Sequence, residues 1–348
     1  MSLDETVRTK IVPPKRQWTY DANLVRLTGI SIAIYIVMRY LAGADFGSYT
    51  NDTAILSGCS ELGILALAIM IAMITGGIDL SAVGIANLSS ICAAMILHPA
   101  KDASPGHQAA LIVGAVAVAI VVSILCGALN GILIGIVCIH PILATLGTMQ
   151  LFTGIATVVT KGSAVHSFPD LFTGIGNGKI WIVPYSFIIF FLVMLGVAVF
   201  TKYRPTGKKI YFVGSNAKAS RFSGISNMKT LLSTYAVGGL ISGIAGLVMI
   251  SRTNSAKADY GASYTMQAIL VCLLAGVDPN GGKGRVAGLT IAVIALQFLS
   301  TGFNQMRASN FVRDFTWGVF LIFIILFNYF MNRLDERSRI RKLGNSGQ

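Results

Sequence analysis

The residues that could carry chemistry in this sequence lie at breaks in long apolar runs, and the first break is Thr75–Ser81 (TGGIDLS). Gly76 and Gly77 interrupt a helix, and Asp79 stands where the next helix would begin. A carboxylate there accepts hydrogen bonds from the free N–H groups of a first helical turn. A charge at the centre of a bilayer costs roughly 3 kcal/mol, so we expect this break at an interface or in a wet cavity. Asp79 is therefore either a helix cap or part of a polar path.

Polar side chains also occur inside the apolar runs. In lipid surroundings such groups face other helices or a water-filled path, so each could make an interhelical hydrogen bond or line a solute route. No Ser/His/Asp arrangement, zinc-type histidine motif or pair of membrane acids accompanies them, and we assign no catalytic or metal-binding residue. The candidates for a solute path or gate are Glu61, Gly76, Gly77, Asp79, Asn87, Asn130, Gln297 and Asn304.

The longest polar interruption, 201–229, is also the most basic. Ser215 or Asn216 could cap a short helix from Ala217 to Ser223, which Gly224 could end. Such a helix at a membrane surface suits docking into a cleft of a partner protein, and a basic loop beside anionic lipid is the alternative. The candidate docking residues are Gly214, Ser215, Asn216, Ala219, Ser220, Ser223 and Gly224.

A third break, Gly276–Arg285, has the Gly and Pro content of a tight loop. It lacks the GxxxxGK[ST] pattern of a phosphate-binding loop and no strand precedes it, so we expect this chain to bind neither ATP nor another cofactor. Its glycines Gly281, Gly282 and Gly284 are candidate hinge residues.

The elements that position these residues are long and apolar. Only 12% of the 348 residues are charged and 54% are hydrophobic, whereas soluble domains carry about 25% charged residues. Lipid must therefore be the solvent for much of the chain, and the fold class is an all-α polytopic membrane protein with about ten spans. The predicted spans are 24–42, 54–75, 81–97, 109–138, 142–160, 181–200, 230–250, 265–277, 286–304 and 312–331.

The basic residues predict the orientation. Most of the 27 lysines and arginines fall in segments that share one side if the N-terminus is inside, and 201–229 holds the largest group. By the positive-inside rule both termini are cytoplasmic. The predicted organisation is a tail at 1–23, a transmembrane domain at 24–331 with the cytoplasmic loop 201–229, and a second tail at 332–348. No cleavable signal is apparent before the first span.

Glycine spacing predicts which helices pack closely. Gly127, Gly131 and Gly135 recur every four residues, as do Gly239 and Gly243. Each set forms a flat ridge on one helix face, which favours tight helix packing rather than a direct functional role.

Five segments together resemble the ribose-type family of bacterial ABC-transporter permeases, which handle sugars and the autoinducer-2 signal. They are TGGIDLS (Thr75–Ser81), GALNG (Gly127–Gly131), PILATLG (Pro141–Gly147), VGSNAKASRFSGI (Val213–Ile225) and GGKGRVAG (Gly281–Gly288). They fall in the family's order and spacing, so the resemblance covers roughly 54–331. The chain departs from the common pattern at Ala82–Gly84, at Thr265 and Gln267, and at Ala68–Ala72, which leaves the substrate and the gate less defined.

The resemblance implies a transmembrane subunit of a binding-protein-dependent importer in the bacterial inner membrane. Its partners would be a second permease subunit, identical or not, two cytoplasmic ATPases that hold ATP and Mg²⁺, and a periplasmic solute-binding protein; no nucleic acid is involved. Asn216–Gly224 would be the segment that docks on the ATPase. Alternating access driven by the ATPases would then need a bistable packing rather than catalytic residues.

Three alternatives stay open at this point. A permease of the related branched-chain amino-acid type would share most of these features. An ion-coupled secondary transporter would need membrane acids, of which only Glu61 and Asp79 are available. A membrane enzyme would need paired catalytic groups, which the sequence does not offer.

Overall fold

The computed structural model describes residues 22–309 and 311–326, and helices dominate them. The helices are α1 (Ala22–Leu41), α2 (Tyr49–Ile74), α3 (Ala82–Ala100), α4 (Pro105–Gly135), α5 (Pro141–Thr160), α6 (Asp170–Asn177), α7 (Tyr185–Tyr203), α8 (Pro205–Ser215), α9 (Ala217–Phe222), α10 (Asn227–Thr253), α11 (Tyr264–Leu274), α12 (Val286–Gln305) and α13 (311–326). A 3₁₀ turn covers Ala44–Gly47. The short strands are β1 (Val165–His166), β2 (Lys179–Ile180), β3 (Val183–Pro184) and β4 (Ser255–Ala256), and they form the antiparallel pairs β1–β4 and β2–β3.

The predicted spans coincide with helices, and the all-α membrane fold is confirmed. Eight described helices, α1 to α5, α7, α10 and α12, are long and apolar enough to cross a membrane. The short eighth run corresponds to α11, which has only 11 residues. The tenth run corresponds to α13, although its last residues lie outside the described part. The predicted tails also lie there, except that Ala22 and Asn23 already belong to α1.

Helix α2 lies at the centre of the bundle. Every residue from Cys59 to Ile74 is buried, and the helix packs against α7, α10, α11 and α12. An α-helix that is apolar all round is buried on all sides. By contrast, α1, α4, α5 and α7 present large exposed apolar side chains, such as Val113 and Val158, as expected of helices that face lipid.

The closest helix contact joins α4 to α10 through the glycine ridges. A Cβ at Gly127 would overlap the carbonyl oxygen of Tyr235, and a Cβ at Gly239 would overlap that of Ser123. The tight packing predicted from the glycine spacing is confirmed, because the backbones of α4 and α10 lie too close together for any residue larger than glycine at these positions.

The connecting segments gather at two opposite ends of the bundle. At one end, which we call the inner end after the predicted orientation, Gly282 N–H donates to Ile74 O at 2.8 Å. At the other, outer end, Phe168 N–H donates to Asn254 Oδ1 at 2.8 Å. This arrangement agrees with helices that cross alternately in the predicted order.

The predicted basic loop 201–229 contains more helix than its sequence indicated. The short helix capped by Asn216 is confirmed as α9, since Asn216 Oδ1 accepts from Ala219 N–H at 2.9 Å. Ser215 is not a cap but ends α8, a helix that the prediction missed. Pro205 opens α8 at its first position, where the missing N–H costs nothing.

One segment leaves the helical pattern deep inside the bundle. Residues 254–263 run inward along α3, because Asn87 Nδ2 donates to Ala258 O and Tyr260 O, each at 2.9 Å. Asn87 lies about one turn beyond Gly84, and Gly84 packs against the middle of α5 at Met149. Helix α11 therefore starts near the middle of the bundle and spans only its inner half.

The glycine packing generates a prediction. Gly127→Val should destabilise the protein by about 1–3 kcal/mol or more, because the added side chain forces α4 away from α10. Gly114→Val on the same helix is the matched control, since a Cβ there meets nothing within 4 Å. Thermal unfolding of both variants in detergent measures the difference, and equal melting temperatures would contradict the packing.

Candidate functional site

A cavity of about 600 Å³, lined mostly by residues with polar side chains, opens at the outer end between α2, α10, α11, α12 and α13. We call it the outer funnel. Its mouth lies at Asn51 and its floor at Glu61, about 15 Å further along α2. Three candidates for a solute path come together in this cavity, namely Glu61, Gln297 and Asn304. The full lining is Ser48, Thr50, Asn51, Ala54, Gly58, Glu61, Arg252, Thr253, Tyr264, Gln297, Ser300, Thr301, Asn304, Gln305 and Arg313.

The floor of the outer funnel is a buried ion pair. Arg252 Nη1 donates to Glu61 Oε1 at 2.6 Å and to Ser57 O at 3.1 Å. Tyr264 Oη donates to the second carboxylate oxygen, Glu61 Oε2, at 2.8 Å. The Glu61 side chain is only 8% exposed and that of Arg252 is 25% exposed. A buried carboxylate keeps its charge only when it is paired in this way.

The mouth of the funnel is held by amide contacts. Gln305 Nε2 donates to Asn51 Oδ1 at 2.7 Å, which joins α12 to α2. Arg313 Nη1 donates to Asn304 Oδ1 at 2.7 Å, which joins α13 to α12. These contacts place Asn304 at the rim, whereas Gln297 lies two turns deeper against Gly58.

A second opening faces sideways from the bundle. This lateral groove has a volume of about 440 Å³ and runs between α3, α5 and α11, with Asn87, Gln150 and Asp259 among its lining residues. Lys257 and Asp259 form an ion pair of 2.9 Å beside it, with side chains 39% and 61% exposed. Exposed charges are unfavourable against lipid. This side of the bundle is therefore a candidate contact surface.

The break at Thr75–Ser81 has a different environment from the one expected. Asp79 is 1% exposed, and its Oδ1 accepts from Ser81 N–H at 2.9 Å and from Ser81 Oγ at 2.6 Å. Burial raises the pKa of the Asp79 carboxyl above its usual range, although the two bonds from Ser81 act in the opposite direction. The carboxyl therefore accepts hydrogen bonds from Ser81, the residue just before α3, and lies in a buried polar network.

This network extends to two neighbouring helices. Asn130 Nδ2 donates to Ser81 Oγ and Thr148 Oγ1 donates to Asn130 Oδ1, both at 2.7 Å. Thr145 Oγ1 donates to the backbone oxygen of Ile78 at 3.1 Å. Asn130 thus makes interhelical hydrogen bonds, and Asn87 holds the 254–263 segment. The structure places neither of them, nor Asp79, in the outer funnel.

The candidate hinge loop and the docking segment meet at the inner end of α2. Gly214, at the end of α8, lies against the backbone oxygen of Ile74 and the amide of Gly282, and a Cβ at Gly214 would overlap both groups. Gly76 has a φ of +84°, a conformation that favours glycine. Tyr211 Oη adds a bond to Gly284 O at 2.9 Å. Gly281 also packs against Gly76 and Gly214, whereas Gly77 lies against Tyr235 and Pro141.

Helix α9 projects from this contact with most of its surface uncovered. Ala219, Ser223 and Gly224 are exposed, and Phe222 is 93% exposed. Ser220 is the buried member, with Oγ donating to Asn227 Oδ1 at 3.1 Å. Asn227 Nδ2 in turn donates to Ala217 O at 2.8 Å. The helix is therefore anchored to α10 on one side and free to meet a partner on the other.

The sequence analysis missed several residues of these sites. Arg252 and Arg313 were counted only for orientation, and Tyr264 was not singled out, because their partners are remote in sequence. One usable signal was present in α12, where Gln297, Thr301 and Asn304 recur at helical spacing on one face of an apolar run. Phe222 could have been noticed as an aromatic residue inside a basic helix.

Comparison with known proteins gives consistent matches. Residues 53–327 match a family model described as branched-chain amino acid transport system / permease component. The autoinducer 2 import system permease protein LsrD of Yersinia enterocolitica is 30% identical over 87% of this chain and 93% of its own length. The ribose import permease protein RbsC of Escherichia coli K12 is 29% identical over 91% of this chain and 98% of its own length. No solved structure gives a significant match.

The buried ion pair generates a prediction. Removing one partner of a buried pair costs about 3–5 kcal/mol, and the partial exposure of Arg252 lowers the expected cost of Glu61→Met to about 2 kcal/mol. The double variant Glu61→Met with Arg252→Met should recover most of this loss, because no charge is then left unpaired. Thermal unfolding in detergent measures both. Asp259→Met, which breaks the exposed pair with Lys257, is the control and should lower the melting temperature far less than Glu61→Met does.

The environment of Asp79 generates a second prediction. The folded protein holds this proton more tightly than the unfolded chain, whose aspartate pKa is about 3.9. The stability that protonation contributes is therefore full below that pH and is lost as the pH rises through the raised pKa. Asp79→Asn should remove this decline, so that the variant loses less stability than the parent as the pH rises above the ordinary aspartate pKa.

Melting temperatures of both proteins, measured from below the ordinary aspartate pKa upward, check the Asp79 prediction. Asp170→Asn, at an exposed position of α6, is the control and should keep the parent's pH dependence. An Asp79→Asn protein that follows the parent curve at every pH would show that Asp79 binds no extra proton on folding.

Proposed function

Because this chain belongs to the permease-component family that contains the ribose and autoinducer 2 import permeases, we propose that it is the membrane subunit of a binding-protein-dependent ABC importer for a sugar or sugar-like solute. It would lie in the inner membrane of a bacterium as a multi-pass protein with both termini in the cytoplasm. The description of the family also names branched-chain amino acids, but the named relatives import ribose and autoinducer 2.

The observation that carries the proposal is the contact at the inner end of α2. Helix α9 is joined through Asn216 to α8, and Gly214 of α8 rests directly on Ile74, where α2 ends and the Gly76–Gly77 break begins. A force applied to α9 therefore reaches the most buried helix of the bundle without a flexible link between them. This geometry suits a subunit that receives mechanical work from a partner and holds no ATP or Mg²⁺ of its own.

The proposed partner at α9 is a cytoplasmic ATP-binding subunit. The exposed residues of this helix combine one large aromatic side chain, Phe222, with the basic side chains of Lys218 and Arg221. Aromatic and arginine residues dominate the energetics of protein interfaces. Two such subunits would serve two permeases, and ATP-driven closure would move both α9 helices together.

A second permease subunit is the proposed partner at the lateral groove. The exposed Lys257–Asp259 pair lies beside this groove and Gln150 lines it. Gly147 and Gly154 flank Gln150 on the same helix, and a Cβ at either glycine would meet nothing within 4 Å. Small residues permit close helix contact in membranes. The second subunit, identical or not, would shield these polar groups from lipid, and a periplasmic binding protein would deliver solute to the outer end.

The docking of α9 gives a direct test. Truncating an interface aromatic residue costs about 2 kcal/mol, so Phe222→Ala should weaken association with the importer's ATP-binding subunit roughly thirtyfold and reduce ATP-driven uptake. Phe311→Ala is the matched control, because Phe311 is 87% exposed at the opposite end of the bundle. Co-purification and uptake of labelled ribose are measured at equal membrane levels. Normal association of the Phe222 variant would refute the docking site.

A further inference from the structure

Two cavities adjoin each other at the inner end of the bundle, where α1, α11 and α12 come together. The first, which we call the inner pocket, has a volume of about 360 Å³ and is bordered by α1, α8, the end of α11 and the loop before α12. The second, which we call the peripheral groove, has a volume of about 290 Å³ and runs between α1, α11, α12 and α13. Leu24 lines the pocket, and Leu27, one turn further along α1, lines the groove.

The inner pocket is basic. Lys283 and Arg285 line it, and both residues are exposed. Among the described residues that line the pocket or the groove, none is acidic. Asp278 Oδ2, outside this lining, accepts from Lys283 Nζ at 3.4 Å, but the Lys283 side chain is 75% exposed. Because so exposed an ion pair is weak, Lys283 can turn towards an anion in the pocket.

The backbone around the pocket is held in place before any ligand arrives. Tyr211 Oη donates to Gly284 O at 2.9 Å, and Gly282 N–H donates to Ile74 O at 2.8 Å. Helix α12 begins at Val286 with no acidic residue in its first turn and no side-chain cap. The free N–H groups of that turn add positive potential to that of the two basic side chains. The pocket is therefore a preformed cationic site.

The peripheral groove has the opposite character and faces the membrane. Its walls include Leu27, Ile30, Ile34, Leu296 and Phe320. The helices on its two sides present apolar side chains outward, and Ile32 of α1 is 55% exposed. A groove of this composition on a spanning helix is filled by hydrocarbon, because water gains no hydrogen bonds there.

The dimensions of the two cavities match one phospholipid. From Leu24 to Ile34 helix α1 rises about 15 Å, which is half the hydrocarbon thickness of a bilayer and thus the depth of one leaflet. Among the described residues of the groove, Arg26 alone is charged, and it lies at the end nearest the pocket. A free phosphate would leave the groove unfilled. A soluble protein would have to enter the bilayer to reach it.

We propose that the inner pocket and the peripheral groove together bind one anionic phospholipid of the cytoplasmic leaflet. The phosphate group lies between Lys283 and Arg285, and one acyl chain lies along α1. Basic pockets between helices on the cytoplasmic side of membrane proteins bind anionic head groups in this way. The same loop packs through Gly281 against Gly76 and Gly214. The bound lipid therefore braces the candidate hinge loop against α1, whatever solute the protein carries.

The lipid selectivity of the purified protein tests the proposal. Dioleoyl phosphatidylglycerol and dioleoyl phosphatidylcholine are added at equal concentration in detergent, and bound lipid is counted by native mass spectrometry. We expect one phosphatidylglycerol per subunit to be retained in preference to phosphatidylcholine. The double variant Lys283→Gln with Arg285→Gln should bind it about thirtyfold more weakly, since each basic residue near anionic lipid contributes roughly a fivefold factor. Equal retention of both lipids by the parent would overturn the proposal.

A second double variant controls for loss of charge. Lys202→Gln with Lys229→Gln also removes two exposed basic side chains at the inner end, and neither residue lines the pocket. This variant should keep the selectivity of the parent. A loss of the same size in both double variants would show that the attraction is not confined to the pocket, and the proposal would fail.

A filling substitution tests the acyl-chain part and leaves Lys283 and Arg285 in place. Ile30→Trp should occupy the groove and weaken phosphatidylglycerol binding about tenfold or more, because lost contact with two methylene groups already accounts for that factor. Ile32→Trp, on the same helix but outside the groove, should bind as the parent does. Undiminished binding by the Ile30 variant would contradict the proposal, also where the charge variant fails to fold.

Soluble anions and the partner subunit separate the other possible occupants. Inorganic phosphate or glycerol 1-phosphate, in large excess, should leave phosphatidylglycerol bound, because neither fills the groove. Displacement by either at a concentration equal to that of the lipid would make the pocket a phosphate site. Parent-like lipid selectivity in the Lys283 and Arg285 variant, with lost association with the ATP-binding subunit, would make it a protein contact. Either result would overturn the lipid site and leave the importer function standing.

Discussion

The need to satisfy backbone polar groups away from water governs this structure. Helices meet that need internally, but Thr75–Ser81 and residues 254–263 are non-helical and lie within the bundle. Non-helical backbone is tolerated at membrane depth only when it is enclosed by protein or lines a cavity. Side chains enclose the first segment, where Asn130, Thr145 and Thr148 reach Ser81 and Ile78. The second is held by Asn87 and opens on one side to the lateral groove. The polar network around Asp79 and the lateral groove are thus both direct results of interrupted helices.

Helix α2 connects the two ends of the molecule. Its outer half contributes Glu61 to the funnel, and its inner end at Ile74 contacts Gly214 and Gly282. The intervening residues are buried on all sides and fill the core. Close-packed interiors are stiff and switch between discrete packings instead of deforming gradually. Under the proposed coupling, a displacement of α8 at the inner end would reach the funnel through α2, and the adjoining glycine break is the proposed place where α2 would move relative to α3.

The sequence predicted the structure best where a local pattern determines it. Apolar runs of sufficient length predicted the spans, glycine spacing predicted the α4–α10 contact, and Asn216 predicted the cap of α9. It was less successful where distant residues meet. Glu61 was recognised as a polar residue in a span, but its partners Arg252 and Tyr264 lie 191 and 203 residues away. The burial of Asp79 and the inward course of 254–263 depend on tertiary packing, which no local pattern encodes.

The exposed Lys257–Asp259 pair has a consequence for biogenesis. Exposed charges are unfavourable against hydrocarbon, and pairing with each other relieves only part of that cost. In the proposed assembly a second subunit would cover the pair, so that folding into lipid and oligomerisation would be thermodynamically linked. Copies left without a partner would then be the least stable form of the protein in the membrane, and their removal by proteolysis would follow from that instability.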